Sequence, residues 1–135
     1  MYKKLAIILL FLLSIGIVSA TYSYYDPLEV TGLTVDEFKE QCVDVSYKDL
    51  KTDDSLINQS VKLDGEVFVA SSESMTFHVD GDMDQSVYVH LYHDKDNSKF
   101  DKYEGLDATI YCRFDGIHDG FLTGEEPELT IVDIE

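Results

Sequence analysis

Between Val61 and Tyr92 the apolar side chains fall on every second position: Val61, Leu63, Val67 and Val69, then Met75, Phe77 and Val79, then Val87, Val89 and Leu91. A period of two places them on one face of an extended chain; a helix repeats at 3.6. The runs are broken by Ser71-Ser72-Glu73-Ser74 and by Asp80-Gly81-Asp82, both rich in turn formers. The stretch therefore reads as three antiparallel strands, the first half of a small barrel. Gly65 interrupts the first strand. A glycine there marks a bulge or a sharp bend, which lets one long strand serve two sheets.

The flanking segments complete a mainly β domain with a short N-terminal helix. Thr34 to Cys42 carries a capping box, Thr34 with Glu37, and places Val35, Phe38 and Cys42 on one face. A second short turn is expected at Tyr47 to Leu50. Ser98 to Glu104 forms a helical turn that Gly105 stops. Leu106 to Phe114 is a fourth strand, with Ala108, Ile110, Cys112 and Phe114 inward and Thr109, Tyr111 and Arg113 outward. Asp115 to Pro127 reads as a Gly-rich loop, and Leu129 to Ile134 as a fifth strand.

Residues 1–20 have a basic start at Lys3 and Lys4, then an apolar run, then Val18-Ser19-Ala20. That is the pattern of a signal peptide. Counting on through Tyr22, Tyr24 and Tyr25 makes the segment long enough for a membrane anchor, so both readings stand. Either one puts the rest of the chain outside the cytoplasm, secreted or anchored. Residues 21–33 read as a flexible tether, and residues 34–135 as one domain.

The net charge is −17. Non-specific nucleic-acid binding depends on clustered Lys and Arg, so this balance disfavours it and favours solubility and cation attraction. Two cysteines in an exported chain permit a Cys42–Cys112 disulfide, with two buried free thiols as the alternative. Their spacing makes no zinc site, and the sequence implies no cofactor.

The local words of the chain resemble those of exported OB-fold proteins grouped as tRNA-anticodon-binding-like. Tyr47 and Leu50 match a "Y-x-x-L" element, and Val61, Gly65 and Val67 match the strand after it. Gly105, Ile110 and Gly116 match the family's fourth strand, and Pro127, Leu129 and Ile134 its last. Ser60, Leu106 and Cys112 depart from that pattern. The resemblance covers residues 34–135 and implies a five-stranded Greek-key OB-fold barrel. The matched positions are turns and core, so it brings no binding residues.

OB-folds take ligands across their second and third strands. The residues opposite the core alternation there are Phe68, His78, Tyr88, His90 and Tyr92. Flat rings with polar edges suit stacking on bases, sugars or peptide side chains. The expected function is a cell-surface binding module for a protein, peptide or glycan, with an oligonucleotide binder as the alternative. Asp80, Asp82 and Asp84 resemble the start of a calcium loop, but the sixth position is Gln85 and the twelfth Leu91, where an EF-hand needs Gly and Glu. An acidic hairpin tip is the competing reading. The histidines have no partner at motif spacing, and no nucleophile elbow, P-loop or HExxH occurs, so the expectation is a binding protein and not an enzyme.

Overall fold

The structure is a computed structural model that describes residues 26–91, 97–120 and 124–135. Five strands close a barrel: β2 (Ser60–Ala70), β3 (Ser74–Val79), β4 (Ser86–His90), β5 (Asp107–Gly120) and β6 (Gly124–Ile134). Their order is β2-β3-β4-β6-β5, and β5 returns to β2. β4 and β6 run parallel, and the other neighbours run antiparallel. A two-residue strand, β1 (Val43–Asp44), lies parallel to the start of β2. This is the five-stranded OB-fold barrel that the resemblance implies.

The inward set is as the period predicted. Val61, Leu63, Val67, Met75, Phe77, Val79, Val87, Val89, Ile110, Cys112 and Phe114 are all buried. Val69 is the exception, 48% exposed. The register of β2 against β3 shifts between Val67 and Val69. Phe68 is the extra residue of a bulge, so Val69 pairs with Thr76 on the outer face and Ala70 takes the place opposite Met75. The irregularity therefore falls three residues after Gly65. At Gly65 itself the strand is paired on both edges, with Val79 of β3 and Ala108 of β5.

Two segments are more regular than expected. Of the expected loop Asp115 to Pro127, residues 115–120 and 124–127 are strand: β5 and β6 stay paired from Ile110↔Ile134 out to Gly120↔Gly124. Gly116 supplies a positive φ of 101° where the register shifts. Beside it Arg113 Nε donates to Asp115 Oδ1 at 2.8 Å, and Thr130 Oγ1 donates to Asp115 Oδ2 at 2.5 Å, tying the strands together. The expected tether at 21–33 is, in its described part, a helix: α1 (Pro27–Thr31). Asp26 caps it by accepting from Leu28 N at 2.9 Å, and Gly32 ends it at φ 71°. Asp26 and Pro27 are buried, so this segment belongs to the folded domain. The signal or anchor at 1–20 lies outside the described residues.

The helix α2 (Val35–Gln41) carries its expected capping box and buries Phe38. It docks on the outside of the barrel. Lys39 Nζ lies 4.8 Å from the centroid of the Tyr111 ring and binds Asp133, at 3.1 Å, together with Glu135. Lys99 reaches the same Asp133 at 2.8 Å from α4 (Ser98–Asp101), whose Phe100 is buried. Burial pushes the Asp133 carboxyl up, but the hydrogen bonds from Lys99 and Lys39 outweigh it and hold the group below its ordinary range. A third helix, α3 (Tyr47–Thr52), has a second capping box, Ser46 with Asp49, and buries Leu50.

Cys112 is buried in the core with Ile110 and Phe114, while Cys42 is the half-buried C-cap of α2. Its thiol donates to the Phe38 carbonyl at 3.3 Å. Both thiols are free, the second of the two states the sequence allows, although the Cys42 thiol lies close to the backbone of Cys112. Burial raises the Cys42 thiol to about 11 and Cys112 higher than its ordinary value. Intact mass after alkylation in non-reducing denaturant is expected to show two labelled thiols, even after exposure to air. In native buffer Cys112 is expected to stay unlabelled. A mass lower by two hydrogens and no label would contradict this placement.

Candidate ligand-binding face

Barrel closure leaves the outer side of β3 and β4 as one continuous surface, with one edge of β2 and one of β6. Cross-strand register fixes its layout. Glu66 of β2 lies opposite His78 of β3. His78 in turn faces Ser86 of β4, Thr76 faces Tyr88, and Ser74 faces His90. Tyr88 lies beside Glu128 of β6, and His90 beside Thr130. All these residues alternate with core positions, so their side chains share the outer face.

Two ring pairs organise it. The bulge turns Phe68 over His78, with ring centroids 4.8 Å apart and planes 24° apart. Phe68 is 52% exposed, and the imidazole beneath it is 5% exposed. Tyr88 meets His90 edge to face, also at 4.8 Å. His90 Nε2 lies 3.1 Å from Glu128 Oε2, which holds that ring in place. The sequence thus brings Phe68, His78, Tyr88 and His90 onto one surface. Tyr92 lies outside the described residues, as do His93, Asp94 and Asp96.

Sequence reasoning missed the β6 contribution, Glu126 and Glu128, because the segment was read as a loop. The signal was present: Glu126, Glu128 and Thr130 alternate with Pro127, Leu129 and Ile131. Burial pushes the Glu126 carboxyl above its ordinary range, Lys51 and His78 oppose this, and Glu128 adds to it. Burial and the nearby Glu126 also raise the Tyr47 hydroxyl. Lys51 of α3 donates to the Glu125 carbonyl at 2.9 Å, so α3 lies against the end of this face. No Lys or Arg occurs between Lys62 and Lys95. Lys39, Lys99 and Lys62 are in ion pairs elsewhere on the barrel, and Arg113, which pairs with Asp115, donates to Thr130 at the margin of this face.

Asp80, Asp82 and Asp84 form the tip of the β3–β4 hairpin. Asp80 and Gly81 take positive φ values of 57° and 74°, and Asp82 Oδ1 accepts from Asp84 N at 2.9 Å. Among the described residues no three His, Cys, Asp or Glu side chains are placed to hold a metal ion. Asp80 instead lines an open cleft of about 480 Å³ with Asp64, Asp107 and Glu135.

No family model matches the chain, and no curated protein does. Solved structures do. A replication protein A from U. maydis bound to ssDNA is 12% identical, with 70% of this chain and 71% of that chain covered and a TM-score of 0.44. A protein described as an aspartyl-tRNA synthetase from Leishmania major Friedlin is also 12% identical, with a TM-score of 0.50. The match covers 71% of this chain but only 21% of the synthetase chain. At this identity the likeness is one of fold, and the fold is an OB-type barrel.

Proposed function

We propose that this chain is an OB-fold binding module that works outside the cytoplasm through the outer face of β3 and β4. The observation that carries the reading is the pairing of Phe68 with His78 and of Tyr88 with His90, where OB barrels take their ligands. Such a surface offers flat faces for stacking and polar edges for hydrogen bonds, and it holds them on paired strands. The basic start and apolar run of residues 1–20 support export.

Two ligand classes fit. An oligonucleotide is supported by the stacking rings and by the fold shared with an aspartyl-tRNA synthetase. A protein, peptide or glycan is supported by the sign of the face: Glu66, Glu126 and Glu128 border it, and no Lys or Arg comes from β3 or β4.

Fluorescence titration separates the two. An oligonucleotide ligand requires measurable affinity for a short single strand at low salt, falling steeply as salt rises; no binding at low salt removes that class. For whichever ligand binds, Phe68→Ala and Tyr88→Ala are each expected to weaken it about tenfold, from stacking energies of ~1–3 kcal/mol per ring. Phe68 is half exposed, so the melting temperature is expected to stay unchanged. Full affinity in both variants would mean that the ligand binds elsewhere.

A further inference from the structure

We infer that the ligand of this face is a polypeptide segment bearing arginine or lysine, an inference that rests on the binding-module reading above. The first support is an unpaired group. His78 is 5% exposed, and among the described residues its imidazole makes no hydrogen bond. The ring lies stacked under Phe68 with its centroid 4.8 Å from that ring. A nearly buried ring edge left unpaired among carboxylates is placed to hydrogen-bond an incoming group. The unprotonated nitrogen of a neutral imidazole accepts from an N–H donor.

The second support is what surrounds that edge. Glu66 stands directly across from His78, and the charge of Glu126 acts on it from β6. Glu128 holds His90 on the far side. Phe68 and Tyr88 supply ring faces between these carboxylates. Carboxylates beside exposed rings match a guanidinium or ammonium group, which stacks on the ring and donates to the carboxylates. A nucleic-acid backbone brings charge of the wrong sign. A neutral glycan gains nothing from the charge of the face. The whole chain, at −17, steers a cationic partner toward it.

The test is fluorescence anisotropy with the full chain in neutral detergent and labelled probes of similar size. The probes are a glycine-spaced peptide with one Arg and one Lys, the same peptide with citrulline and norleucine in their places, a short oligo-dT and a neutral oligosaccharide. Two charge-matched variants distinguish the site from mere bulk charge. E66Q/E126Q removes two carboxylates from the face, and D82N/D84N removes two from the hairpin tip. The basic peptide is expected to bind in preference to the other probes. E66Q/E126Q is expected to weaken it at least about tenfold, and D82N/D84N less than about twofold, as charge-assisted hydrogen bonds imply. Equal losses in the two variants would overturn the inference, because bulk charge would then explain binding. Binding of oligo-dT or the oligosaccharide with no binding of the basic peptide would also overturn it while leaving the binding module intact. If Phe68→Ala changes no probe's affinity, the module reading itself fails.

Discussion

At Gly65 one strand is hydrogen-bonded on both edges and there is no room for a side chain. A Cβ there would lie 2.1 Å from the His78 carbonyl oxygen and 2.8 Å from Phe77 Cε1. Both contacts are far inside van der Waals distance, and the nearer atom belongs to the backbone. The close approach lets β2 hand over from β5 to β3, which closes the barrel around Leu63, Phe77 and Ile110. It also fixes where His78 sits. The bulge at Phe68 follows immediately and turns that ring onto the imidazole. Barrel closure and the candidate face are thus products of one short stretch of β2.

The outer surface divides by charge. On the side covered by α2, cations and anions are matched: Lys39 and Lys99 meet on Asp133, and Tyr111 donates to Glu135 at 3.1 Å beneath Lys39. The lysine ammonium over the Tyr111 ring adds a cation–π contact. Exposed pairs contribute little each, but here several share partners in a network that seats the helix. On the side of β3 and β4 the matching is sparser: Glu128 pairs with His90, and Lys51 lies near Glu126 at one end. No Lys or Arg comes from β3, from β4 or from the hairpin between them. This face therefore keeps a larger excess of negative charge than the side covered by α2.

Most of the barrel was legible because a period of two survives in β2, β3, β4 and the start of β5. The first amphipathic helix was legible through its cap: Thr34 with Glu37 makes the reciprocal hydrogen bonds its spacing implies. Ser46 with Asp49 makes the same pair at α3, where the sequence reading saw only a short turn. Two of the failures share one physical cause. Alternation says which residues are in phase, but a bulge resets the phase without leaving a local mark. Val69 was therefore assigned inward when it is outward. The glycines of Asp115 to Gly124 looked like a loop, although Gly116 serves a register shift inside a hairpin. That error hid Glu126 and Glu128 and half the chemistry of the face. Asp26-Pro27 and Gly32 are good start and stop signals for a helix, yet the segment between them is too short for periodicity to speak.

The most direct test is urea unfolding of Gly65→Ala, read together with its amide NMR spectrum. In an ordinary strand interior alanine is favoured over glycine by roughly 0.5–1 kcal/mol, so the sign of the change is diagnostic. If β2 closes the barrel as described, the variant loses at least ~3 kcal/mol, the upper end of overpacking costs, since backbone and not a flexible side chain must move. The shift changes then centre on Phe77, His78 and Val79. A variant as stable as the parent, with those amides unmoved, would contradict the close approach of β2 and β3 and the placement of the face that depends on it.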